Sequence, residues 1–223
     1  MASMKWYDSA LGKLIAPQLG QLTSCGADEL PERENLLPEF VVNSIFKVKY
    51  DDRFKKNALN LIRRVDHAAL AYTAGRTCLL DYLSDTPGKR VTAYFGAVSY
   101  FEIHVAQLNL ARWLAMRIDR YPDGGTSLVS KGSDCFDARL QELHNQVKQL
   151  HDKITKGELP EGNTVAIWLT NDGLESKDWA VTFSELREHL MQCYEVARVV
   201  TQELPKKIIA NRDSSDDKKP PAR

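Results

Sequence analysis

The apolar residues of this chain recur at alternating spacings of three and four over most of its length. That rhythm marks helices packed along one face. Between residues 54 and 84 it is carried by Ala58, Leu61, Val65, Ala68, Tyr72, Gly75 and Leu79. Asp85-Thr86-Pro87-Gly88 then reads as a turn. A second helix is predicted over about 89–119, with Val91, Tyr94, Val98, Phe101, Val105 and Leu108 on its main seam. Phe95, Ile103, Leu110, Trp113 and Leu114 place apolar residues on its other faces, so it is expected at the centre of the body. A third helix is predicted from Ser133 or Asp134 to Lys156-Gly157, with Phe136, Leu140, Leu143, Val147, Leu150 and Ile154 in phase. The last opens on Thr182 and Glu185, which stand at capping-box spacing. It carries Phe183, Leu186, Leu190, Cys193, Ala197, Val200 and Leu204, and Pro205 marks its end. Only Thr164 to Thr170 reads as a strand, closed by the turn Asn171-Asp172-Gly173.

The predicted fold is therefore all-α, an up-and-down bundle of four long helices. One short strand or hairpin is inserted before the last helix. Residues 1–50 form an irregular extension packed on the body, in which Trp6, Leu11, Leu14 and Ile15 suggest one short helical piece. Residues 51–210 form the bundle domain, and the tail 211–223, NRDSSDDKKPPAR, is expected to be disordered.

Composition narrows the function classes. The chain has 223 residues, 30 Lys+Arg and 30 Asp+Glu, for a formal net charge of zero. Such a balance excludes an indiscriminate polyanion binder and leaves room for a small phosphate site. It conceals an acidic segment, 28–39, and a basic one, 47–64, in which seven Lys and Arg face two Asp. The basic run is either a phosphate-facing strip or a solvated helix face. The four cysteines, Cys25, Cys78, Cys135 and Cys193, lie far apart with no C-x-x-C pair, so reduced thiols are expected and no metal site is predicted. The N-terminus lacks the apolar run of a signal peptide. The segment 93–118 is apolar, yet it holds Glu102, His104, Arg112 and Arg117. Each ionised group would cost about 2.5–3.5 kcal/mol near a bilayer centre, so a core helix and a cytoplasmic location are expected.

P-loop, dinucleotide-binding, G-x-S-x-G and H-E-x-x-H signatures are all missing. No cofactor is predicted. The third helix holds the candidate chemistry. His144 and His151 stand seven residues apart at the margin of its apolar seam, with Lys148 between them. Along one helix they would be separated by about 10 Å, too far to share a metal ion but suited to grip a phosphodiester. Histidine can act there as general acid or base, and lysine or arginine can stabilise the anionic transition state. The same pattern is equally that of a solvated bundle edge. Glu102 interrupts the apolar second helix and, if buried, needs a partner such as Arg76, His144 or His151. Trp168 and Trp179 either stack on a base or plug a loop against the core.

From about Gly88 to Leu204 the chain resembles HEPN domains, the higher-eukaryote and prokaryote nucleotide-binding superfamily. The resemblance rests on YFEIHVAQL, which contains Glu102, and on RLQELHNQVKQLHD, GNTVAIWLTNDGLES and VTFSELREHL. HEPN ribonucleases carry an arginine, four to six residues, and a histidine. They dimerise and cleave RNA without metal, through attack of the 2′-hydroxyl on the adjacent phosphate. Here Arg139 and His144 have four residues between them. A second alignment puts the working histidine at His151, preceded by Asn145 and Lys148, with His144 in place of the arginine. The resemblance thus implies an RNA-binding protein or metal-independent endoribonuclease of a toxin or defence type. His151 would be general acid or base, and Lys148 with Arg139 or His144 would hold the phosphate. Asn145 would orient it and Glu102 would position a histidine. The implied partners are RNA, a second copy of the chain, and a protein antitoxin or adaptor. The alternative is a non-catalytic helical interaction module forming a homo-oligomer or adaptor.

Overall fold

The computed structural model describes residues 17–47, 50–84, 90–119, 135–159, 164–205 and 208. The predicted helical piece around Trp6–Ile15, the turn at 85–88, the loop at 121–132 and the tail 211–223 lie outside them. Among the described residues the chain is mostly helical, with six α-helices and one small antiparallel sheet. These are α1 (Leu36–Val42), α2 (Asp52–Leu83), α3 (Arg90–Asp119), α4 (Phe136–Lys148), α5 (Leu150–Lys156) and α6 (Phe183–Arg198), with β1 (Trp168–Leu169), β2 (Gly173–Glu175) and β3 (Ala180–Thr182). No helix among them is long and apolar enough to cross a membrane.

Local chemistry explains several of the element ends. Asp51 opens α2 by accepting the amides of Arg53 and Phe54, at 3.2 and 3.1 Å. Asn35 caps α1 through the amide of Leu37, and Pro38 is tolerated because it falls in that helix's first turn. The predicted capping box of the last helix is present. Thr182 Oγ1 accepts the amide of Glu185, whose carboxylate accepts the amide of Thr182. Gly157 ends α5 at φ 68°, the left-handed conformation that favours glycine.

Four predicted elements differ from what is found. The last helix does not end at Pro205, since Leu204 and Pro205 are themselves helical. The third helix does not run unbroken to residue 156. A turn at Gln149, with φ −92° and ψ 0°, divides it into α4 and α5. None of the residues of α5 is buried, and Ile154, placed on the seam by its spacing, is 54% exposed. The single strand or hairpin is a three-stranded meander in the order β1-β2-β3, with Trp168 opposite Glu175 and Gly173 opposite Thr182. Strands of two and three residues are too short for an alternation pattern to reveal them. The N-terminal segment expected to be irregular contains α1.

The chain divides into two compact units. Unit 1 comprises residues 1–30, 67–109 and 130–190. Its core joins Tyr72 and Leu79 of α2, Phe101, His104 and Leu108 of α3, Leu140 and Leu143 of α4, Phe183 and Leu186 of α6, and Leu174 and Val181 of the sheet. Phe101 is its pivot, meeting Tyr72 edge-on at 5.8 Å and Phe183 at 5.0 Å between ring centroids. Gly75 makes this approach possible, since a Cβ there would stand 3.1 Å from the Phe101 ring. Unit 2 comprises residues 31–66, 110–129 and 191–223. Phe40, Tyr50 and Phe54 stack in its core beside Leu61, Val65, Ile118 and Val200. Asn43 fastens α1 there through a buried 2.9 Å hydrogen bond to the carbonyl of Thr201.

Candidate functional site

The residues that the sequence marks for chemistry fall mainly on α4, and all six lie in unit 1. Three of them, His144, Asn145 and Lys148, gather on one polar cluster. Asn109 of α3 donates from Nδ2 to Gln141 Oε1 at 3.0 Å and meets His144 Nδ1 at 3.1 Å. Gln141 passes the chain on to Asn145 Oδ1 at 3.0 Å. With an amide donor facing it, Nδ1 of His144 is an acceptor, and the ring proton sits on Nε2. Burial, helped by the nearby Lys148 charge, holds the imidazole pKa below its ordinary value. His144 is therefore a neutral ring with one nitrogen already engaged. It can donate a hydrogen bond through Nε2, but it does not supply the fixed cation that a phosphate grip needs.

Arg139 is committed elsewhere. Its Nη2 lies 2.5 Å from Glu185 Oε1, and its Nη1 reaches both Glu185 Oε2 at 3.3 Å and the carbonyl of Ala180 at 2.8 Å. Burial alone would raise the pKa of Glu185. Its bonds to Arg139 and to the backbone and hydroxyl of Thr182 outweigh that and hold it low. Arg139 thus ties α4 to β3 and to the first turn of α6, and its charge is matched within the fold.

The remaining two candidates stand apart. His151 is exposed on α5, beyond the Gln149 break, and its backbone carbonyl accepts the hydroxyl of Thr155. Glu102 is half-buried, and burial raises its pKa. Among the described residues it has no hydrogen-bonding or ion-pairing partner. Arg76 instead bonds the carbonyl of Ala27 and Glu29, and His144 bonds Asn109. Trp168 packs as a structural residue, 6% exposed with Nε1 directed at Glu175, whereas Trp179 is partly exposed.

A cavity of about 270 Å³ lies over the sheet, lined by Leu22, Asn171, Asp172, Gly173, Val181 and Thr182 among others, and none of the six candidates borders it. Among the described residues no three His, Cys, Asp or Glu side chains group as metal ligands. Sequence reasoning passed over Asn109 and Gln141, which build the polar cluster, because an amide on a helix flank has no spacing signature. It also passed over His104, which is fully buried with Nδ1 2.7 Å from the carbonyl of Ala68. No family model, curated protein or solved structure matches this chain.

Proposed function

We propose that the chain is a non-catalytic helical interaction module that pairs with a second copy of itself through residues 31–46 and 50–56 of unit 2. The observation that carries this reading is an exposed apolar strip. Leu37, Val41 and Val42 are 37–45% exposed, Ile45 is 66% exposed and Phe46 is 79% exposed. They lie between segments of opposite charge. Before and within the strip, Glu32, Glu34 and Glu39 are exposed, and among the described residues the carboxylates of Glu34 and Glu39 meet the neutral amide of Gln202. After it comes the basic run of 47–64, with Arg53 and Lys56 exposed. The order acidic, apolar, basic is self-complementary under a two-fold axis, which lays the acidic end of one copy on the basic end of the other. The formal net charge of zero opposes no such pairing.

Light scattering at increasing protein concentration tests this. A dimer is expected for the natural chain and a monomer for Ile45→Asp/Phe46→Asp. Both side chains are exposed, so the helical circular dichroism should persist. A monomer at all concentrations, or a dimer that survives the double substitution, would falsify the reading.

A second reading follows the HEPN resemblance and is favoured by the Asn109–Gln141–His144–Asn145 cluster with Lys148 beside it. It makes the chain an RNA binder, with metal-independent cleavage if His144 or His151 exchanges a proton with the 2′-hydroxyl. Fluorescence anisotropy with single-stranded RNA should then show binding that His144→Ala and Lys148→Ala both weaken. Cleavage in EDTA should vanish in His151→Ala. Equal binding and no cleavage in all these proteins would exclude it.

A further inference from the structure

We infer that Arg76 and Arg187, with the hydroxyl of Tyr72, form a phosphate-binding site in unit 1 that the chain's own Asp28–Glu29 segment covers. Arg76 rises from α2 and Arg187 from α6. Residues 25–29 lie across both. Arg76 donates from Nε to the carbonyl of Ala27 at 2.8 Å, and its Nη1 lies 3.3 Å from Glu29. Arg187 has only a loose contact, 3.7 Å from Nη1 to Asp28 Oδ2. The segment is held at Gly26, whose amide donates to the carbonyl of Asn171 at 2.7 Å. A Cβ at Gly26 would meet that same oxygen at 2.7 Å, so only glycine fits this anchor.

Two buried donors at this place lack acceptors among the described residues. One is Nε of Arg187. The other is the hydroxyl of Tyr72, a residue with 0% exposure. Tyr72 stands one turn before Arg76 on the same face of α2, and the charges of Asp28, Arg187 and Arg76 act on its phenol. Burial pushes its pKa up to about 12, which keeps it a proton donor at neutral pH. Buried donors are almost always paired, and two of them beside two arginines specify an acceptor with several oxygens and negative charge.

The present occupants meet that need poorly. The Asp28 and Glu29 side chains are 76% and 80% exposed, and neither reaches the Tyr72 hydroxyl or Arg187 Nε. Surface pairs of this kind are weak and easily exchanged. A phosphate dianion carries the same charge as the two carboxylates it would displace. Its tetrahedral oxygens offer an acceptor to each guanidinium and to the phenol. Binding would swing the 27–29 segment outward on the Gly26 anchor.

Isothermal titration of the full chain with inorganic phosphate near about pH 8, with acetate at matched ionic strength as the second arm, tests the site. Phosphate should bind and acetate should not. Asp28→Asn/Glu29→Gln, which alters only exposed carboxylates, should bind phosphate about tenfold more tightly because its internal competitor is gone. Tyr72→Phe, which keeps the ring packing, should bind it severalfold more weakly, and Arg187→Gln should lose it. The site is refuted if Asp28→Asn/Glu29→Gln binds phosphate no better than the natural chain. Acetate binding as tightly as phosphate, or unchanged phosphate affinity in Tyr72→Phe and Arg187→Gln, refutes it equally.

Discussion

Substitution of Gly173 by alanine is expected to destabilise the fold by about 3 kcal/mol, the upper end for inserting an atom into a packed site. Gly173 faces Thr182 across the β2–β3 pair. A Cβ there would stand 2.1 Å from the Val181 carbonyl oxygen and 2.7 Å from the Thr182 Cα. Both are backbone atoms of the paired strand, so no side chain can turn aside to make room. The strands would have to part, and the consequences spread. Gly173 also accepts the amide of Thr170 at 2.9 Å, and the neighbouring Asp172 carbonyl accepts the amide of Phe183 at 2.7 Å. Phe183 packs its ring on Phe101, so parting the sheet loosens the start of α6 and the centre of the unit 1 core. Urea unfolding followed by circular dichroism should show a lower midpoint. Gly20, where a Cβ meets nothing within 4 Å, provides the control, and Gly20→Ala should leave the midpoint nearly unchanged. Equal midpoints for both variants would refute the account.

The second large effect is a loss of stability in mild acid that originates at His104. Its ring is fully buried against Tyr72, 5.3 Å between centroids, and Nδ1 meets the carbonyl of Ala68 at 2.7 Å. A carbonyl only accepts, so Nδ1 carries the proton, and Nε2 is left as a bare acceptor with no partner among the described residues. Burial drives the pKa from 6.5 down to about 4, although the bond to Ala68 pulls slightly the other way. An unfolded chain takes up a proton on this ring below pH 6.5, while the folded chain refuses it until about pH 4. Between those values the unfolded state binds more protons, so stability falls as the pH falls. The contribution is complete above pH 6.5 and amounts to about 3 kcal/mol lost at pH 4. His144, also held below its ordinary value, acts in the same direction. Glu102, raised by burial, acts in the opposite one, because its folded state favours the protonated form. His104→Leu removes the titrating ring and keeps an apolar side chain of similar bulk. Its stability between pH 7 and pH 4 should fall by about 3 kcal/mol less than that of the natural chain. Parallel curves for the two proteins would show that His104 is not the source.

The same residue shows why the candidate chemistry was only partly legible. In the sequence, His104 is one polar position in an apolar helix, no different in kind from Glu102 two residues earlier. What separates them is depth and distance to an acceptor, and the acceptor at Ala68 is 36 residues away. Arg139 makes the point more sharply. Its spacing to His144 suggested a phosphate grip, yet its partner Glu185 lies 46 residues along the chain and takes its charge into the fold. The Gln149 turn was also unreadable, since no proline or glycine stands there, and it moves His151 off the helix that carries His144. Arg76 and Arg187 each meet residues 27–29, a link that no local pattern shows.

The amino-acid pattern was enough to place the long helices α2, α3 and α6 and the ends of some elements. Facing is a local property, because the turn angle of a helix repeats every few residues and each apolar side chain declares its own side. The Thr182–Glu185 box and the Gly157 terminus are local in the same way, each closed within four residues. Only the folded chain settles the partners of Arg139 and Glu185 and the tautomers of His104 and His144. Those depend on desolvation and on partners brought from distant parts of the chain. They made Arg139 a brace, kept His104 and His144 neutral, and laid an acidic segment over two arginines.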